Sequence, residues 1–149
     1  MTNKFRQLQL ETLDEHLTKV HVAPRPSSGW IRAIRTALGM SARQLAERMG
    51  VSQQALSRLE SKEADDAVTI KTLRRAAEAM GCQVVYAVVP GEGSLRDIIE
   101  ERALKKAKEL VEAVVHTMKL EAQGVGDVKD KTRQVADEMA ANLNSSLWD

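Results

Sequence analysis

Four side chains within six residues carry the chemistry of this chain: Gln53, Gln54, Ser57 and Arg58. Their spacing puts all four on one face of a helix. In the major groove, Gln matches adenine by a paired donor and acceptor, Arg matches guanine with two parallel donors, and Ser bonds either. An ordinary helical hairpin would account for the apolar residues around them. It would not account for an outward row made only of base-reading types.

That row needs a helix held at a steep angle on a second one, and residues 42–60 supply the parts. Leu45, Met49, Val51, Leu56 and Leu59 point inward as a shared core. Ala46 is small enough to let the helices approach. Gly50 stands at the turn, where positive φ is required and Gly adopts it without steric cost. Ser41 and Ser52 are N-cap types at the starts of the two helices. The pattern is a helix-turn-helix with Gln53, Gln54, Ser57 and Arg58 as base readers. Ser41, Arg43, Gln44, Lys62, Thr69 and Lys71 are the candidate phosphate contacts. Thr69 opens a helix whose free N–H groups suit a phosphate. Glu63, Asp65 and Asp66 should turn their loop away from DNA.

The charge distribution agrees. The net charge is only +1, but residues 25–75 hold ten Lys/Arg against five Asp/Glu, whereas residues 76–149 hold nine against thirteen. Positive charge is concentrated where the motif lies. Cys82 is the single cysteine, so no intrachain disulfide forms and a zinc site is not expected. There are no clustered histidines, no phosphate-cradling glycine loop and no evident carboxylate pair, so neither an enzyme nor a cofactor is expected. Without a signal peptide or a membrane-length apolar run, a cytoplasmic protein is expected.

Met49 to Glu60, Met-Gly-Val-Ser-Gln-Gln-Ala-Leu-Ser-Arg-Leu-Glu, resembles the helix-turn-helix of the phage-repressor-like (XRE-type) family over roughly residues 27–81. Many members begin the motif with a phosphate-clamping Gln. Here that position is Ala42, so the clamp must be built differently. Residues 29–35, the helix from Thr69 to Gly81, residues 82–90 and the closing Leu147-Trp148-Asp149 resemble the bacterial family called mobile mystery protein A. The resemblance implies a gene beside one for a Fic-domain protein, mobile mystery protein B, and hence an antitoxin-like regulator. It also raises an alternative, neutralisation of a Fic-type toxin by direct contact. Fic-inhibitory helices commonly carry Ser/Thr-x-x-x-Glu followed by Gly or Asn. Thr117 to Glu121 has that spacing, but Ala122 follows.

The remaining chain reads as supports. Residues 1–24 form an N-terminal amphipathic helix with Phe5, Leu8, Leu13, Leu17 and Val20 as its stripe, packed on its own chain or on another copy. Pro24 and Pro26 make a linker, and Arg25 is expected solvated, the alternative being a contact to a phosphate or the minor groove. Residues 25–81 are the DNA-binding domain, opened by a helix from Ser27 or Ser28 to Leu38 with Trp30, Ile31, Ile34 and Leu38 inside and Arg32 and Arg35 outside. Ile70 and Leu73 belong to the inner face of the helix from Thr69. Residues 82–90 are rich in Val and favour a β-strand. A lone strand needs a partner, either a short added strand elsewhere in the chain or the same strand of a second copy; the second is expected, with Val84, Tyr86 and Val88 at a homodimer interface. Residues 91–149 form a helical extension. Ser94 and Asp97 cap its long helix, a second helix from Asp127 to about Leu143 folds back as a hairpin, and terminal Trp148 docks. The expectation is a mainly α protein, a five-helix-type phage-repressor-like domain with one strand and helical extensions at both ends. It binds a near-palindromic double-stranded operator as a homodimer.

Overall fold

The computed structural model describes residues 2–118 and 125–149. Seven α-helices and a final 3-10 turn are seen among them: α1 (Asn3–Leu17), α2 (Trp30–Ala37), α3 (Ala42–Met49), α4 (Gln53–Ala64), α5 (Ile70–Ala79), α6 (Leu95–Met118), α7 (Val125–Ala141) and the turn Ser145–Trp148. No described helix is long and apolar enough to cross a membrane. The chain divides into two compact units, one of residues 21–86 and one of residues 1–20 with 87–149.

The unit of residues 21–86 contains α2 to α5. Its core is Ile31, Leu45, Ala46, Leu56, Leu59, Ala76 and Met80, with Met49, Val51 and Leu73 packed against it. Leu45 and Leu56 are wholly removed from water, each stabilising the unit by about 1.5–3 kcal/mol. The expected inner residues of α3 and α4 are therefore inside. Trp30, Leu38 and Ile70, expected inside, are instead 41%, 56% and 40% exposed. Trp30 and Ile70 open their helices, and Leu38 ends α2, where little of the core reaches them.

Neither Ser27 nor Ser28 caps α2. Its N-cap is Gly29, at φ 83°, which has no side chain to offer. Glu63 supplies the cap from α4: its carboxylate accepts from the backbone N–H of Trp30 at 2.7 Å and of Ile31 at 2.8 Å. A Cβ at position 29 would lie 2.9 Å from the Glu63 Cδ, so the glycine also makes room for its replacement cap.

The other unit contains α1, α6, α7 and the 3-10 turn. α6 packs along α7 and also meets α1 and the turn. Ala103 and Ala107 of α6 and Ala136 of α7 are buried, small residues that allow close approach. The capping box is present, with Asp97 accepting from the Ser94 N–H and the Ser94 hydroxyl from the Asp97 N–H. Asp14 of α1 caps the same helix end through the N–H groups of Leu95 and Arg96, at 2.7 and 3.1 Å. α1 therefore presents Arg6, Gln7, Leu10, Asp14 and Leu17 inward, and Phe5, Leu8 and Leu13 stay exposed. This reverses much of the expected stripe. The helix is held by hydrogen bonds, with Asn3, Arg6 and Gln7 donating to the carbonyls that end α7 or follow it. At the C-terminus Leu147 is buried and Trp148 is 57% exposed, so the docked residue is the leucine.

The expected β-strand at residues 82–90 is not found. Among the described residues there is no strand at all; this stretch carries no helix, turn, bend or ladder. A ladder needs a second strand, and helices take up the chain on both sides. The Thr117-to-Glu121 spacing runs outside the described residues from Lys119 onward.

Candidate nucleic-acid interface

Local chemistry sets the two motif helices. The Ser41 side chain accepts from the Gln44 N–H, and the Gln44 side chain accepts from the Ser41 N–H, a reciprocal capping box at the start of α3. Gly50 ends α3 in the left-handed region, at φ 69° and ψ 31°. The Ser52 hydroxyl then accepts from the Ala55 N–H at 3.1 Å and starts α4.

α4 has two unlike faces. The inner face holds Leu56, Leu59, Glu60 and Glu63, all buried. Two of these are carboxylates, and each holds α2. Glu60 meets Arg35 in a two-pronged pair, Nε to Oε1 at 2.7 Å and Nη2 to Oε2 at 3.1 Å, while Arg35 Nη1 donates to the Met40 carbonyl. The hydrogen bond to Glu60 raises the Arg35 pKa above its ordinary value, against the opposing effect of burial. Arg25 ends α4 by donating to the carbonyls of Glu63 and Ala64 and to the Asp66 carboxylate. These contacts fix the roll and tilt of α4 against α2, and so fix which residues it shows to solvent.

The outer face shows Gln53, Gln54, Ser57 and Arg58, all exposed. Among the described residues none of the four side chains has a hydrogen bond or ion pair. The structure brings the four base-reading candidates together on one wet surface with their polar atoms free.

The phosphate candidates divide. Lys62 lies one turn beyond Arg58, exposed, and both line a groove of about 360 Å³ with Thr69, Thr72 and Arg75. Thr69 caps α5, accepting from the Thr72 N–H, and Lys71 is exposed in the first turn of that helix. Arg43 is exposed but shares its charge with Glu47 at 3.2 Å. Ser41 and Gln44 are exposed yet engaged in their capping box. Of the expected dimer residues, Val84 is half-buried, Tyr86 is 63% exposed with the Arg74 guanidinium 5.9 Å from its ring centre, and Val88 is 86% exposed.

Sequence reasoning missed the positioning residues. Arg35, expected outside, is buried; Glu63, expected to repel phosphate, caps α2; Arg25, expected solvated, caps α4. A usable signal was present in part: Glu60 lies on the same helical face as Leu56 and Leu59, an acidic residue in an apolar stripe that asks for a basic partner.

No curated protein and no solved structure matches the chain. Residues 31–86 match a family model described as helix-turn-helix, of the XRE type, spanning α2 to α5 and running on to Tyr86. That match is to a DNA-binding regulatory domain and not to a catalytic family. Over residues 31–86 the chain is therefore similar to the helix-turn-helix domains of DNA-binding transcription regulators.

Proposed function

We propose that this protein is a sequence-specific transcriptional repressor that binds double-stranded DNA as a homodimer. The observation that carries the reading is the division of α4: an inner face locked by Leu56, Leu59, Glu60 and Glu63, and an outer face of Gln53, Gln54, Ser57 and Arg58 with free polar atoms. Each protomer lays α4 in a major groove. Two protomers meet half-sites about one helical turn apart, so the operator is near-palindromic. Lys62, Thr69, Lys71 and, less directly, Ser41, Arg43 and Gln44 fix the register on phosphates, with Arg75 an added member of the Lys62 groove. The operator lies upstream of the protein's own gene in the cytoplasm, in an operon shared with a Fic-domain protein. That last part rests on the resemblance to mobile mystery protein A.

The test is a salt-dependent fluorescence titration of the full chain on DNA from upstream of its own gene, against scrambled DNA. Arg58→Ala removes a bidentate base contact, costs about 1–3 kcal/mol on the operator and relaxes specificity at one position. Lys62→Ala weakens both DNAs alike and flattens the salt slope by about one unit. Equal binding to both DNAs by the unmodified chain overturns the reading.

A further inference from the structure

Residues 82–90 are the stretch whose exposure the fold leaves unexplained. Val85 is 82%, Tyr86 63%, Val88 86% and Val89 46% exposed. Among the described residues no hydrogen bond reaches the backbone of residues 83–90. Open donors and acceptors beside an apolar row form a template for another chain. The stretch is also anchored: Cys82 packs on the helix-turn-helix core, and the Arg74 guanidinium lies near the Tyr86 ring.

We propose that residues 83–89 pair with the same residues of a second copy as an antiparallel ribbon centred on Tyr86. This deepens the dimeric reading above and rests on it. The partner follows from symmetry. A two-fold axis normal to two adjacent antiparallel strands keeps every residue on its own face, so facing residues i and j must have an even sum, and one residue faces its own copy. The stretch without other structure, 82–90, has Tyr86 at its midpoint. About that centre Val84 faces Val88, Val85 faces Ala87, Gln83 faces Val89, and Tyr86 faces Tyr86. Val84 meets Val88, Val85 meets the smaller Ala87, Val89 meets the stem of Gln83, and the aromatic pair sits on the axis.

Pro90 sets the phase. It has no N–H to give a ladder. If Gln83, Val85, Ala87 and Val89 direct their N–H groups to the partner, Pro90 directs its nitrogen away and no bond is lost. Tyr86 then occupies a non-hydrogen-bonded pair, where the Cα atoms are close, about 4.5 Å. An isolated two-stranded ribbon is marginal in water. Here half-buried Cys82 attaches it to the helical core.

The test uses the full chain carrying Cys82→Ser, with Val85→Cys, Tyr86→Cys or Ala87→Cys added singly, under mild oxidation. On the axis the Cα separation falls in the disulfide range of about 4.4–6.8 Å, whereas one residue off the axis it exceeds about 8 Å. Tyr86→Cys should couple at least about ten-fold faster than either neighbour; equal rates, or a maximum at 85 or 87, overturn the proposal. Ala87→Pro removes an inward donor and should give a monomer by sedimentation, with operator affinity down about 100-fold and half-site affinity unchanged. Val88→Pro removes only an outward donor and should remain dimeric. An unmodified chain that binds its operator but stays monomeric overturns the pairing and the homodimer and leaves the base-reading face of α4 standing. One that couples through Tyr86→Cys yet ignores DNA sequence overturns the DNA reading and leaves the pairing standing.

Discussion

The pair between Arg35 and Glu60 gives the sharpest test of how α4 is held. Both side chains are about one-tenth exposed, at 11% and 10%, so both charges have left water. Removing one partner strands the other. Glu60→Leu leaves the guanidinium with the Met40 carbonyl as its remaining acceptor, and Arg35→Met leaves a buried carboxylate. Each single change should cost about 3–5 kcal/mol. The double change replaces the pair by apolar groups of similar volume and should fall within about 1 kcal/mol of the unmodified chain. In urea, with a slope of about 1.5 kcal/mol/M, the single variants move the midpoint down by roughly 2–3 M. Fluorescence of Trp30 in a Trp148→Phe background reports the unit of residues 21–86 alone. The pair should break by mutation and not by titration of Arg35. Its folded pKa is raised by the bond to Glu60, so its stabilising contribution is present below the ordinary pKa and lost only as pH rises through the folded one. Between about pH 6 and 9 Arg35 stays charged and contributes no slope. Singles that cost under 1 kcal/mol, or a double variant as weak as either single, would refute the account.

Two further substitutions probe the borrowed caps. Gly29→Ala places a Cβ 2.9 Å from a carboxylate held by two N–H groups, at φ 83°, and should destabilise the unit of residues 21–86 by about 1–3 kcal/mol in the same urea assay. Asp14→Ala removes the acceptor for two N–H groups at the start of α6 and should cost about 1–2 kcal/mol, seen by Trp148 fluorescence in a Trp30→Phe background with the other transition unmoved.

The motif helices were legible in the sequence because their determinants are local. Ser41 and Ser52 cap within three residues, Gly50 takes positive φ at its own position, and the apolar period of α3 and α4 places Leu45, Leu56 and Leu59 inside. The outer row on α4 was legible for the same reason: once the inner face is known, helical geometry fixes Gln53, Gln54, Ser57 and Arg58. The start of α2 was not legible. Its cap comes from Glu63, thirty-three residues beyond Trp30, and local rules favoured the nearer serines. α1 misled for a related reason. Its apolar residues suggested a buried stripe, but hydrogen bonds donated by Asn3, Arg6 and Gln7 and accepted by Asp14 hold another face inward.

Residues 82–90 show where a single chain stops being the right unit of reasoning. Their composition favours a strand, and the structure holds none there, but these facts do not conflict. Strand propensity describes how well side chains fit a pleated, paired surface, not a conformation the backbone takes alone. A stretch with that propensity and no partner among the described residues leaves its peptide groups to water and its valines exposed, as Val85 and Val88 are. The valines gain burial only by meeting another strand. Helix α4 has the same character, since its free glutamines and arginine are complete only against a surface the chain does not contain. One incomplete element asks for a groove with hydrogen-bonding base edges, the other for an apolar strand with open peptide groups. The proposed repressor, reading a near-palindromic operator as a homodimer, needs both.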